Sequence, residues 1–497
     1  MLGVSINRDN VMSQVTQSAP SQCALRDKPS PCAVRNKPWA CLATIALGLS
    51  GCATVPVFNP AKVDAGDGQQ PEVVGSRGPL SRRHAAAVLR QLELKSPAPD
   101  ALARHLAIEQ AVTGEALYAG NRTRILRDGK ETFPAMFGAI RAAQHSLWLE
   151  YFTFEDVECD GVRLSDLLLV KRSLGVQIAV LYDAVGSGKT PKESFEKMRT
   201  AGIAVLAFNP PNPLAAHGHW SINDRDHRKL LVADQRLAIV GGINMSSSYE
   251  RSVLGGSSRS APDTPDAHRY WRDTDLQIEG PAAGELSRMF VSHWNSQGGP
   301  ELAYTDDSPS ARADGSEFVR IIGSAPGALA PHYYATLLSA LRTAERRIWV
   351  TAAYFVPTHQ EKSELIRAAR RGVDVRILVP SDSDSRAALA VQRSTYADLL
   401  GAGVKILERQ GVILHTKCVI VDGVWAVVGS SNFDHRSVLF NDEVDAVVLG
   451  TSVAGDLERY FVDDSKEAQP ITPSAWAHRP AGERVRELFW RLSTSLL

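Results

Sequence analysis

The chain repeats itself, and no other feature restricts its fold as strongly. Segment 139–148 (AIRAAQHSLW) corresponds to 340–349 (ALRTAERRIW), 175–181 (GVQIAVL) to 372–378 (GVDVRIL), and 201–206 (AGIAVL) to 402–407 (AGVKIL). Tyr151 and Phe152 match Tyr354 and Phe355. Each copy alternates helical stretches with short β-branched apolar runs, the pattern of α/β units around a mostly parallel, buried sheet. Two homologous α/β domains are therefore expected, over 122–304 and 317–465, joined by a Pro-, Gly- and Asp-containing connector at 305–316.

The repeats agree best where chemically capable residues concentrate. The first carries His227-Arg-Lys229 with Asp234, then Gly241, Gly242 and Asn244; the second carries His415-Thr-Lys417 with Asp422, then Gly429, Ser430 and Asn432. His to Asp is 7 positions and His to Asn is 17 in both copies. A single His-x-Lys in a strand is ordinary; one spacing kept twice in one chain is not. Apolar residues follow each Lys, so the segment reads as a strand, and alternation puts His and Lys on one face. Asp234 and Asp422 fall on the other face at a turn, where Asp holds a hairpin together. The small residues before each Asn leave room for a ligand to approach, and Asn supplies amide donors.

Two such units facing each other bring two His, two Lys and two Asn around one space. That inventory suits a phosphodiester. Ammonium and amide groups of Lys229, Lys417, Asn244 and Asn432, with the Ser430 hydroxyl, can bind non-bridging oxygens as charge builds. One imidazole can attack phosphorus while the other serves as acid and then base. No metal and no cofactor is required. Each His needs a partner on its other nitrogen, and aligning 273–280 (DTDLQIEG) with 443–450 (EVDAVVLG) nominates Asp273 and Glu443.

At these residues the chain resembles the phospholipase D superfamily with its paired HKD motifs, and within it the bacterial cardiolipin synthases. The strings 414–423 (LHTKCVIVDG), 354–357 (YFVP) and 432–437 (NFDHRS) carry the likeness, which runs over 122–497. The resemblance implies two α/β domains related by a pseudo-twofold axis and sharing one active site. It implies a phosphatidyltransferase that moves a phosphatidyl group from phosphatidylglycerol to a lipid alcohol through a phosphohistidine on His227 or His415, with His227 favoured. The alternative is a hydrolytic phospholipase D that passes the same intermediate to water and releases phosphatidic acid. A nuclease of the same superfamily is disfavoured by the even balance of 55 basic and 55 acidic residues, because phosphate contacts favour a basic surplus; phospholipid and a membrane surface are the expected partners.

The flanks differ from the body. Arg35 and Lys37 precede an apolar run at 39–49, then Ser50, Gly51 and Cys52. A run of 11 residues is short of the roughly 20 that span a bilayer. The string 49–52 (LSGC) resembles a bacterial lipobox, so 1–52 is read as a signal with Cys52 as the lipidated residue of a periplasm-facing lipoprotein. Residues 53–121 are read as a Pro- and Gly-rich tether followed by leader helices over 81–118, and 466–497 as an amphipathic carboxy-terminal helix. Cys159 and Cys418 are read as small buried side chains. The His217-Gly-His219 loop and the GSGKT string at 186–190 match neither a metal site nor a phosphate-binding loop in full.

Overall fold

The computed structural model describes residues 55–58, 71–216, 220–249, 271–302, 315–327, 331–480, 482–484 and 490. The signal segment with Cys52, the His217-Gly-His219 loop, residues 253–270, and residues 481, 485–489 and 491–497 of the carboxy-terminal segment lie outside them.

The first half runs β1 (Leu117–Arg127), α1 (Asp128–Ala142), β2 (Ser146–Tyr151), α2 (Leu164–Ser173), β3 (Gln177–Asp183), α3 (Lys192–Thr200), β4 (Ala204–Phe208), β5 (Lys229–Ala233), β6 (Leu237–Gly241), β7 (Thr274–Glu279) and α4 (Pro281–Ser296). In space the strands lie in the order β4-β3-β2-β5-β6-β7-β1; β2, β3 and β4 are parallel and the other pairings antiparallel. The second half repeats this with β8 (Glu317–Ser324), α5 (His332–Thr343), β9 (Arg347–Ala352), α6 (His359–Arg370), β10 (Asp374–Pro380), β11 (Lys405–Arg409), β12 (Lys417–Val421), β13 (Trp425–Gly429), β14 (Asn441–Leu449) and α7 (Thr451–Ser465). Its order, β11-β10-β9-β12-β13-β14-β8, is the same. The equivalent strands β1 and β8 pair antiparallel, Phe318 opposite Ala119 and Val319 opposite Tyr118. Pairing of like with like relates the halves by a pseudo-twofold axis and joins them into one sheet system.

Strands buried on both faces read as unbroken apolar runs rather than alternating ones. This is why β5 (KLLVA), β12 (KCVIV) and β13 (WAVVG) are buried throughout. One apolar cluster takes residues from both sheets and from α4 and α7, so these helices sit between the halves. Trp148 stacks on Phe290 of α4 with centroids 5.7 Å apart, and its counterpart Trp349 stacks on Phe461 of α7 at 5.0 Å. Both tryptophans are core residues. Cys159 and Cys418 are buried, and no disulfide joins them.

Three flank expectations change. The tether contains a hairpin, Val73–Gly75 with Gly78–Pro79, which pairs with β1. The leader helices are Arg82–Lys95 and Pro99–Thr113, and β1 begins at Leu117 rather than 122. A short strand, Ala468–Ile471, adds to β11 where only helix was expected. The extended Glu72–Gly75 backbone finds its hydrogen-bond partners on β1, which wins over the composition of a linker. Among the described residues no helix is long and apolar enough to cross a membrane.

Candidate active site

Each HKD segment enters its strand by leaning on the opposite half. Arg225 and Asp226 pair in parallel with Asn441 and Asp442, and Trp271 and Arg272 pair with Ile413 and Leu414. The His227 amide donates to Asp442 O at 2.9 Å and the His415 amide to Arg272 O at 2.7 Å. Each histidine therefore sits beside the carboxylate that follows its docking strand. His227 Nδ1 lies 3.0 and 3.1 Å from the Glu443 carboxylate oxygens, and His415 Nδ1 lies 2.7 Å from Asp273 Oδ2. The two carboxylates orient the rings crosswise, each serving the half to which it does not belong. With Nδ1–H given to the carboxylate, Nε2 keeps its lone pair.

Both rings open onto one cavity of about 500 Å³. Its wall also includes Asn244, Asn432, Arg225, Arg436, Trp271 and Tyr354. The Asn244 side-chain oxygen accepts the Thr153 amide at 3.0 Å, while Asn432 Oδ1 is buried and has no partner among the described residues.

Two expectations need correction. Ser430 is wholly buried, and its hydroxyl donates to Glu443 Oε2 at 2.5 Å. It cannot meet a substrate phosphate from there; with Ser437 (2.8 Å) and Asn441 (3.0 Å) it fixes the carboxylate that orients His227. The glycines before each Asn make room for carboxylates rather than for a ligand. A Cβ on Gly242 would strike the Asp273 carboxylate, and one on Gly429 would strike Asp445. Lys229 and Lys417 lie beneath the cavity wall, each Nζ bonded to the carbonyl of its own motif histidine at 2.5 Å. Lys417 Nζ also lies 3.0 and 3.2 Å from the two His415 ring nitrogens.

The motif aspartates are tied to backbone. Asp234 accepts the amides of Gln144, His145 and Ser146, and Asp422 those of Glu345, Arg346 and Arg347. Each fastens its own hairpin to the start of the neighbouring strand. Positive φ at Asp234 and Gln235, and at Asp422 and Gly423, turns the chain within a three-residue connection between antiparallel strands.

Burial sets the electrostatics. It lowers the His227 pKa to about 4, against the opposing pull of Glu443, and it lowers His415 with help from Lys417. Burial also brings Lys229 down to about 7 and lowers Lys417. His227 and Lys229 together hold Glu443 below the usual carboxylate range although burial opposes them. Sequence reasoning missed Tyr249, whose hydroxyl lies 3.1 Å from His415 Nδ1 and donates to Asp273 Oδ2 at 3.3 Å. It missed Phe152 too, which stands edge-on to His227 with Lys229 Nζ 5.3 Å from its ring centre. Tyr249 has no counterpart in the spacing that exposed the His, Lys and Asn pairs, and the match of Phe152 with Phe355 does not hold, since Phe154, bridged to Met245 as Phe355 is to Phe433, is the structural equivalent of Phe355.

Comparison with known proteins places these features in company. A family model described as "Cardiolipin synthase, PLD-like domain" matches residues 136–253 and 337–465. The cardiolipin synthase of Alkalihalophilus pseudofirmus is 36% identical over 380 residues, covering 76% of this chain and 72% of the relative. That of a Geobacillus species (strain WCH70) is 36% identical over 381 residues, with the same coverage of 76% and 72%. In three dimensions the chain is similar to the phosphatidylserine synthase of Haemophilus influenzae Rd KW20, with a TM-score of 0.55 and 13% identity over 76% of this chain and 95% of that one. At that identity the likeness speaks for the fold alone.

Proposed function

Because this chain belongs to the cardiolipin synthase family of phospholipase D-like proteins, we propose that it transfers a phosphatidyl group from phosphatidylglycerol to the hydroxyl of a second lipid alcohol. The observation that carries this reading is the opening of both carboxylate-oriented histidines onto one cavity. His227 is the nucleophile. Its ring makes its described hydrogen bonds at Nδ1, and burial keeps it neutral at physiological pH. His415 is more crowded, with Lys417, Tyr249 and Asp273 all against its ring.

His227 Nε2 attacks phosphorus and the bond to the glycerol oxygen breaks. Protonated His415 gives its proton to that oxygen, and glycerol leaves. His415 then takes a proton from the acceptor hydroxyl, whose oxygen attacks phosphorus and frees His227. The phosphodiester's own negative charge raises the pKa values of His415 and the lysines, offsetting their burial. Lys229 and Lys417 reach the non-bridging oxygens by giving up the carbonyls of residues 227 and 415. Asn244 and Asn432 complete that cradle. A lipid chain on Cys52 would hold the enzyme at the periplasmic side of a bilayer, within reach of phospholipid in the plane of the membrane.

Purified protein supplied with phosphatidylglycerol vesicles tests this directly. The expected products are free glycerol and a four-chain phospholipid in equal amounts. Phosphatidic acid as the main product would instead assign the chain to hydrolysis.

A further inference from the structure

The strand segment that presents His227 to the cavity has a second face. Arg225 and His227 line the cavity, whereas Asp226 and Arg228, alternating with them, do not. On that second face Glu150 of β2, Asp226 and His293 of α4 each bring one ligand atom to within 4.8 Å of the others. Glu150 and Asp226 are fully buried, and the His293 side chain is 9% exposed. Arg228 bonds Glu150 Oε1 at 3.2 Å and Asp442 Oδ1 at 3.4 Å, and His293 Nδ1 lies 2.7 Å from Glu150 Oε1.

What remains is unsatisfied. Glu150 Oε2 and Asp226 Oδ2 are buried with no hydrogen-bond partner among the described residues. A bare buried carboxylate oxygen costs about 1–3 kcal/mol or more. Four buried carboxylates, Asp183, Glu150, Asp226 and Asp442, crowd this face beside two guanidinium groups, Arg225 and Arg228, and the His293 imidazole.

We propose that Glu150, Asp226 and His293 bind a divalent transition-metal cation, zinc or manganese, at a structural site separate from the cavity. Two carboxylates with one imidazole suit such ions better than calcium or magnesium, which prefer oxygen alone. Bonds of about 2.0–2.2 Å need the ligand atoms somewhat closer than they stand, so binding draws the two unpaired oxygens inward. The ion would tie β2, the entry to β5 and α4 together one residue from His227. It takes no part in phosphoryl transfer.

The test is metal analysis of the full-length protein purified without chelator, followed by calorimetric titration of the chelator-stripped protein with zinc and manganese chlorides. One ion per chain is expected, with a rise in Tm on loading, and His293→Gln should weaken binding at least about tenfold. Stripped wild-type protein that takes up neither ion would overturn the proposal. So would His293→Gln protein, shown folded by circular dichroism, that binds as the wild type does.

Discussion

His227 and His415 occupy equivalent positions yet meet different surroundings, and we propose that the difference sets their roles. Two carboxylate oxygens of Glu443 hold one ring; Asp273, Tyr249 and Lys417 crowd the other. On the proposed mechanism Asp273 and Glu443 act by fixing tautomer and orientation, so their amide variants should keep shape and lose function. Asp273→Asn and Glu443→Gln should each lower kcat by roughly 10²–10⁴-fold with little change in KM; a loss under threefold would deny them that role. Lys229 gives a second residue-scale test. With a pKa of about 7, it is mostly neutral in the free protein at pH 8. A bound phosphate anion favours the ammonium, so binding must take up a proton. Calorimetry of phosphate binding at pH 8 in two buffers of different ionisation enthalpy should show that uptake, and Lys229→Met should reduce it by the share of that lysine, His415 and Lys417 supplying the rest. The sequence exposed the His, Lys and Asn pairs because two copies had to agree. It misplaced Ser430, because a serine two residues before an asparagine looks the same whether it faces substrate or a buried carboxylate.

The HKD hairpins are the elements on which the site depends. β5–β6 and β12–β13 are each closed by an aspartate that collects three amides from the start of the neighbouring strand. That role was legible, since an odd spacing from His turns the aspartate away from the reacting face. Asp422→Ala strands three amides and should cost about 2–3 kcal/mol in denaturant unfolding, while activity per folded molecule stays within a few-fold. An unchanged midpoint, or a stable protein without turnover, would contradict a purely structural role. The crossed partnership was not legible. Equivalence of Asp273 and Glu443 follows from alignment within the chain, but which histidine each serves depends on the pairing of 225–226 with 441–442 and of 271–272 with 413–414. These contacts are parallel pairings between segments far apart in the chain, and local periodicity carries no trace of them. The hairpin at 73–79 was hidden for the same reason.

At the scale of the molecule, two half-sites have become one. Neither half holds a complete set: the first lacks the carboxylate for its own histidine, and so does the second. The antiparallel pairing of β1 with β8 and the apolar cluster shared by α4 and α7 bring the halves into register. The repeat announced two domains in advance; their mutual dependence is a property of the assembled fold. A chain with one shared site carries one phosphoenzyme bond, whereas two independent half-sites would carry two. Rapid quench of the full-length protein with phosphatidylglycerol labelled in its phosphate, followed by peptide mapping, distinguishes them. The account predicts at most one phosphohistidine per chain, on His227, and none in His227→Ala. Two labelled histidines per chain, or a His227→Ala protein keeping half its turnover, would contradict it.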